Sequence, residues 1–169
     1  MDMALLIVRL VIGVLVAGHG AQKLFGWFGG GGLKGTAGWL GSAGFQPAGG
    51  WALLAGLSEF GGGVLLALGL FSPLGALGIS AAMLIAITKV HWPKVWAAEG
   101  GYEHPLTNLA VAAAVGIAGS GAYSLDAWFG TALPGSVALV ATGLMILGVI
   151  AAHVVTASRP AESSKTSSS

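Results

Sequence analysis

The stretch "ALLIVRLVIGVLVAGHGAQKLF", residues 4–25, decides the fold class. It matches the roughly 20 apolar residues that a helix needs to cross a bilayer. One charge, Arg9, interrupts it, and His19, Gln22 and Lys23 close it just before the glycine-rich "GWFGGGG" of residues 26–32. A run this long and apolar reads as a membrane-spanning helix. It does not read as a cleaved secretory signal. The leading segment holds Asp2 and no Lys or Arg, and Arg9 lies inside the apolar stretch.

The rest of the chain agrees. Of 169 residues, 55% are hydrophobic and 8% charged, with a mean hydropathy of +0.86. Soluble domains carry about 25% charged residues, so too few are present here to clothe a water-exposed surface. The chain is read as an integral, multi-pass membrane protein with the lipid bilayer as its first partner. A net charge of +1 supplies no basic field for nucleic acid. Cysteine is absent, which excludes disulfides, thiol nucleophiles, Cys-ligated zinc and iron–sulfur clusters. His91, Glu103 and His104 fall at no recognised ligand spacing, so no metal site is expected. The glycines of residues 29–32 follow a helix rather than a strand, which removes a dinucleotide-binding turn. No phosphate-binding loop and no nucleophile elbow is present.

Four further runs can span a bilayer: Trp51 to Leu70, Pro73 to Val90, Leu106 to Tyr123 and Pro134 to Thr156. The expected fold is all-α: a four-helix transmembrane bundle over residues 1–130, an additional C-terminal transmembrane helix over 131–158, and a disordered tail over 159–169. Stretches such as "GLSEFGGGVLLALG" and "LAVAAAVGIAGSG" carry small residues that let membrane helices approach closely. The glycine-rich segment between the first two spans is expected to dip into or lie along the membrane surface.

Let side B be the face reached after the first span, and side A the other. His19, Gln22 and Lys23 are spaced i, i+3 and i+4 and so share one helix face. At about 1.5 Å per residue, Glu59 of the second span comes to a depth similar to His19. Lys89 and His91 end the third span on side B, and Glu103, His104 and Asn108 open the fourth there. One end of the bundle therefore collects most of the polar side chains. Charges within a bilayer are costly unless paired and mark functional sites by default. The bland alternative is an ion pair from Glu59 to Lys23 or Arg9 that only locks helices together. On side A, Arg9 either snorkels to the headgroups or forms a structural ion pair with Asp126. Trp27, Trp39, Trp51, Trp92 and Trp96 all fall on side B, as an interfacial belt or as aromatic lids over a flat ring.

These motifs in this order resemble the DoxX family of small bacterial membrane proteins. The likeness runs over roughly residues 4–130. It rests on Arg9 in the first helix, the "QKLFG" element with Lys23 at its end, "EFGGG" with Glu59 in the second helix, the polar loop from Lys89 to His104, and "YSLDAWFG". The family is four-helical, so residues 131–169 look like an addition. The resemblance implies a bacterial cytoplasmic (inner) membrane and a link to redox complexes, similar to the small membrane subunits of a thiosulfate:quinone oxidoreductase. Actinobacterial relatives are associated with a complex that includes superoxide dismutase and a sulfurtransferase. Any enzymatic activity would be that of such an oxidoreductase subunit.

Two functional hypotheses follow. In the first, the side B pocket holds a quinone, with no covalently bound cofactor. Glu59, His19 and Lys23 do the chemistry, Trp27 or Trp51 stacks, and Gln22, Lys89, His91, Glu103, His104 and Asn108 contribute binding. A carboxyl group and an imidazole in a dehydrated pocket are reasonable proton donors, while electrons come from a redox partner protein. In the second, the same residues pass a small solute or a proton, although no inverted repeat or broken helix pair supports transport. A non-catalytic assembly scaffold is the duller variant, and a homo-oligomer fits any of them. Orientation draws opposing arguments. Every Lys and Arg except Arg9 lies on side B or in the tail, which places side B in the cytoplasm. The family likeness implies the reverse.

Overall fold

A computed structural model describes residues 1–157, and every regular element among them is helical. The α-helices are α1 (Asp2–Phe25), α2 (Gly32–Ser42), α3 (Ala48–Leu68), α4 (Ser72–Ile85), α5 (Glu103–Ala118), α6 (Leu125–Phe129) and α7 (Gly135–Ala157). A π-helical turn, Ala86–His91, continues α4. Among the described residues four helices are long and apolar enough to cross a membrane: Asp2–Phe25, Ala48–Leu68, Ser72–His91 and Gly135–Thr156. This is a multi-pass membrane architecture. The five crossings expected from the sequence reduce to four by length. The shortfall is α5, whose 16 residues rise only about 24 Å against a hydrocarbon core of about 30 Å. The expected tail, 159–169, lies outside the described residues.

The helices stack laterally. α1 runs antiparallel along α3, α3 along α4, and α4 packs on both α5 and α7. The α1–α3 approach depends on missing side chains. A Cβ on Gly13 would lie 2.6 Å from Ala67 N and 2.7 Å from Gly63 O, too close for any larger residue. Bare backbones gain van der Waals contact here, which is what holds helices together where lipid removes the hydrophobic incentive. Val16, Leu66, Ile79, Met83, Ala112 and Val115 form the central apolar cluster. A second cluster, Leu40, Phe45, Ala52 and Ala152, ties α2, α3 and α7 together on side B.

The segment between the first two spans is an element in its own right. Gly26 adopts a left-handed conformation (φ 74°) that ends α1. α2 then folds back against α1 and α3, burying Thr36 and Leu40. Pro47 stands immediately before α3 and starts it at Ala48, three residues ahead of the boundary read from hydropathy.

Side A is fastened by buried polar groups. Arg9 has no exposed surface and donates from Nη2 to Tyr123 O at 2.6 Å. Its guanidinium sits over Gly69, where a Cβ would collide with it; Gly69 is itself left-handed (φ 62°) at the end of α3. The expected Arg9–Asp126 ion pair is not formed. Among the described residues Lys23–Glu59 is the one pair within 4 Å. The Asp126 carboxylate instead accepts Phe71 N–H at 2.9 Å and Ser72 N–H at 3.1 Å, which caps the first turn of α4, and also takes the Thr131 hydroxyl at 3.1 Å. Amides at a helix start are otherwise orphaned, so a carboxylate there is well employed.

Candidate functional site

The polar centre on side B is built by the register of α1 against α3. Gly13 lies against Ala67, Gly20 against Phe60 and Gly56 against Leu24, so Glu59 comes level with Ala21. In this register Phe25 comes level with Ala55 rather than Trp51, so α3 stands about one turn proud of α1 on side B, Glu59 lies nearer that side than its expected depth, and its partner is Lys23. Lys23 Nζ donates to Glu59 Oε1. Glu59 is 3% exposed. Its second oxygen, Oε2, is buried and has no hydrogen-bond partner among the described residues.

The polar group that closes α1 divides its labour. Lys23 turns inward. Gln22 accepts from the His19 ring (Nδ1, 3.1 Å) and donates to Phe28 O at 3.3 Å, bracing the turn beyond α1. His19 joins a cavity of about 270 Å³ whose polar lining is His19, Lys23, Glu59, His91, His104 and Asn108. Four helices (α1, α3, α4 and α5) and a loop contribute, and the π-helical turn delivers His91. Its Nδ1 lies 2.7 Å from Gly100 O. A carbonyl oxygen only accepts, so that nitrogen carries the proton. Such single π turns often occur at functional sites.

A second cavity, of about 100 Å³, lies on the other side of the same ion pair, between α2, α3 and α4. Its wall is aromatic: Trp39, Phe45 and Trp51, with the Phe45 and Trp51 rings 5.6 Å apart. Lys23, Glu59 and Ala86 line both cavities. The pair is thus a partition between a polar chamber and an aromatic one.

The residues anticipated from the sequence separate accordingly. Glu59 and Lys23 face both chambers; His19, His91, His104 and Asn108 face the polar one; Trp51 faces the aromatic one. Trp27, 56% exposed, packs at a tilt on Phe25 and edge-to-face on Phe28 and lines neither. Gln22 and Lys89 line neither chamber. Glu103 is engaged structurally, accepting Ala97 N–H at 3.0 Å. Phe45 and Ser58 are additions that sequence reasoning missed. A partial signal was present in Ala37 and Leu40, which seat α2 over the mouth of α3, while Leu33 at the same helical spacing faces outward. Among the described residues no cluster of three or more His, Asp or Glu is placed to hold a metal ion.

A family model described as DoxX matches residues 4–92. That segment holds α1 to α4, the Lys23–Glu59 pair and the aromatic chamber. No curated protein and no solved structure matches the chain. The matched segment is more than half of the 169 residues, and the chain belongs to the DoxX family.

Proposed function

We propose that this DoxX protein is a membrane subunit of a quinone-linked redox assembly in the bacterial cytoplasmic membrane, with the Lys23–Glu59 pair at the centre of its ligand site. The observation that carries this reading is the condition of Glu59. One oxygen is held by Lys23 while the other is buried without a partner among the described residues. For a purely structural pair that is a poor arrangement, since an unmatched buried acceptor costs about 1–3 kcal/mol. For a ligand site it is a useful one. Oε2 can take a hydroxyl from a reduced ring, and an ammonium has three donors, of which Lys23 spends one on Glu59. The pair therefore presents a donor and an acceptor from one place, matching the two forms of a quinone oxygen.

A quinone reduced at such a site takes up two electrons and two protons. The protons have acid–base groups at hand in Glu59 and His19. The electrons must come from a partner protein, because the sequence has no cysteine and no nucleotide-binding turn. We place its docking surface on side B, over residues 26–50 and 91–105. The reading also gives the chain five crossings, with α5 as the fourth. Its N-terminal end lines the side B chamber, while Tyr123, just beyond it, is bonded to Arg9 on side A.

The test is purification in a mild detergent, followed by extraction of bound lipids and identification of co-purifying proteins. A bound quinone and an oxidoreductase partner are expected, and the quinone should be lost from Glu59→Gln. Turnover of a quinone by the isolated chain would contradict the subunit role. Saturable solute uptake into liposomes, with neither partner nor quinone, would instead favour transport.

A further inference from the structure

The two chambers on either side of Lys23–Glu59 differ in what they can hold and in what they open onto. The polar chamber is lined by three histidines and Asn108, and by the loop at Ala97, Gly100 and Gly101. It opens toward the side B surface, where His104 is exposed. The aromatic chamber has Lys23 and Glu59 as its polar wall and Trp39, Phe45 and Trp51 as flat faces. Its rim includes Trp39 and Leu54, which are 49% and 56% exposed on the apolar flank of the bundle. A groove of about 340 Å³ continues from it. That groove shares Trp51, Leu54, Ser58, Ala81 and Ile85 with the chamber, and its other wall is α7, through Leu144, Met145, Gly148 and Val149.

We infer that the ligand's ring lies in the aromatic chamber, against the bilayer side of Lys23–Glu59, with its hydrocarbon chain in the groove beneath α7. The polar chamber gives solvent access to the same two side chains from the other side. The inference rests on the quinone reading and adds where the ring sits, how it enters and what class of molecule fits: a flat, lipid-dissolved ring bearing an isoprenoid or alkyl chain. Three features point this way. A ring gains most from apolar and aromatic faces, with a few convergent polar groups to orient it. A molecule dissolved in the bilayer reaches this chamber sideways, through the exposed Trp39–Leu54 rim, without crossing the polar loops. A chain too long for 100 Å³ continues into a groove that already joins the chamber. α7, which forms one wall of the groove, lies outside the family-matched segment.

The experiment measures binding of decylubiquinone to the full chain in lipid nanodiscs, read by quenching of tryptophan fluorescence. Ala55→Leu and Ala81→Leu fill the aromatic chamber; Ala97→Leu fills the polar one. Added methylenes in a fitted pocket change affinity by about tenfold or more. We expect that loss from Ala55→Leu and Ala81→Leu, and affinity close to wild type from Ala97→Leu. A decylubiquinone analogue carrying a photoreactive group on its chain, used on the unmutated protein, should label α7 and the groove-facing residues of α3 and α4. This arm stands even if a filling variant does not fold. Loss of binding in Ala97→Leu alone, or labelling confined to α1 and α5, would overturn the placement and leave the quinone reading intact. Absence of saturable binding to the wild-type chain would overturn both.

Discussion

Glu59 is the residue on which the side B chemistry turns, and its neighbours make its substitutions informative. Glu59→Leu leaves the Lys23 ammonium, whose side chain is 31% exposed, without its partner, so the cost should fall below the roughly 3–5 kcal/mol of a fully buried pair. Glu59→Gln keeps the shape and a hydrogen bond to Lys23, so its stability loss should be the smaller of the two. Thermal unfolding in detergent measures both. Equal stability of Glu59→Leu and wild type would mean that the pair contributes nothing to holding α1 on α3. On side A the comparable residue is Gly69. Its φ of 62° and its contact with the Arg9 guanidinium leave no room for a side chain, so Gly69→Ala should destabilise by about 1–3 kcal/mol in the same assay. The sequence made Glu59 conspicuous, because a carboxylate in the middle of a span announces itself. Gly69 was invisible there, since nothing in one sequence distinguishes a glycine under an arginine from a glycine in a lipid-facing turn.

At the scale of elements, the spans of α1, α3 and α4 were legible because an apolar run near 20 residues matches the thickness of a bilayer's hydrocarbon core. The side B constellation was legible only in part. His19, Lys23, Glu59, His91, His104 and Asn108 do converge on one cavity, since alternating spans return their polar ends to one face. Which pairs touch was not legible. The pairing depends on helix register, and register is set by the glycine contacts of α1 with α3. Likewise Asp126 was assigned to Arg9 by depth alone, while its real task is to cap α4, a demand made by backbone amides that a charge inventory does not count. The α1–α3 seam gives a direct prediction. Gly13→Leu must separate the two backbones, so it should lower the melting temperature and weaken the Lys23–Glu59 pair at the far end of the same seam. Unchanged melting would contradict the close approach.

At the scale of the whole molecule, length and composition settle a membrane-embedded helical protein but not the number of crossings. If α5 crosses, the path has five transits and its two ends lie on opposite sides of the membrane. If it does not, they lie on the same side. Reporters fused at Met1 and after Ser169 should therefore report opposite compartments, and matching signals would contradict five crossings. The position of α7 along α4, with Ala152 fully buried against the α2–α3 cluster, makes it a wall of the molecule rather than an appendage.

Whether the Lys23–Glu59 pair holds a quinone is decided by equilibrium binding of a labelled quinone to the purified chain in nanodiscs, compared with Glu59→Gln and Lys23→Met. Hydrogen bonds to charged groups contribute about 1.5–3 kcal/mol, roughly tenfold or more in affinity. Wild type should bind saturably, and each variant should lose affinity by that factor while remaining folded. Binding that does not saturate, or that is identical in all three proteins, would contradict quinone binding at the pair.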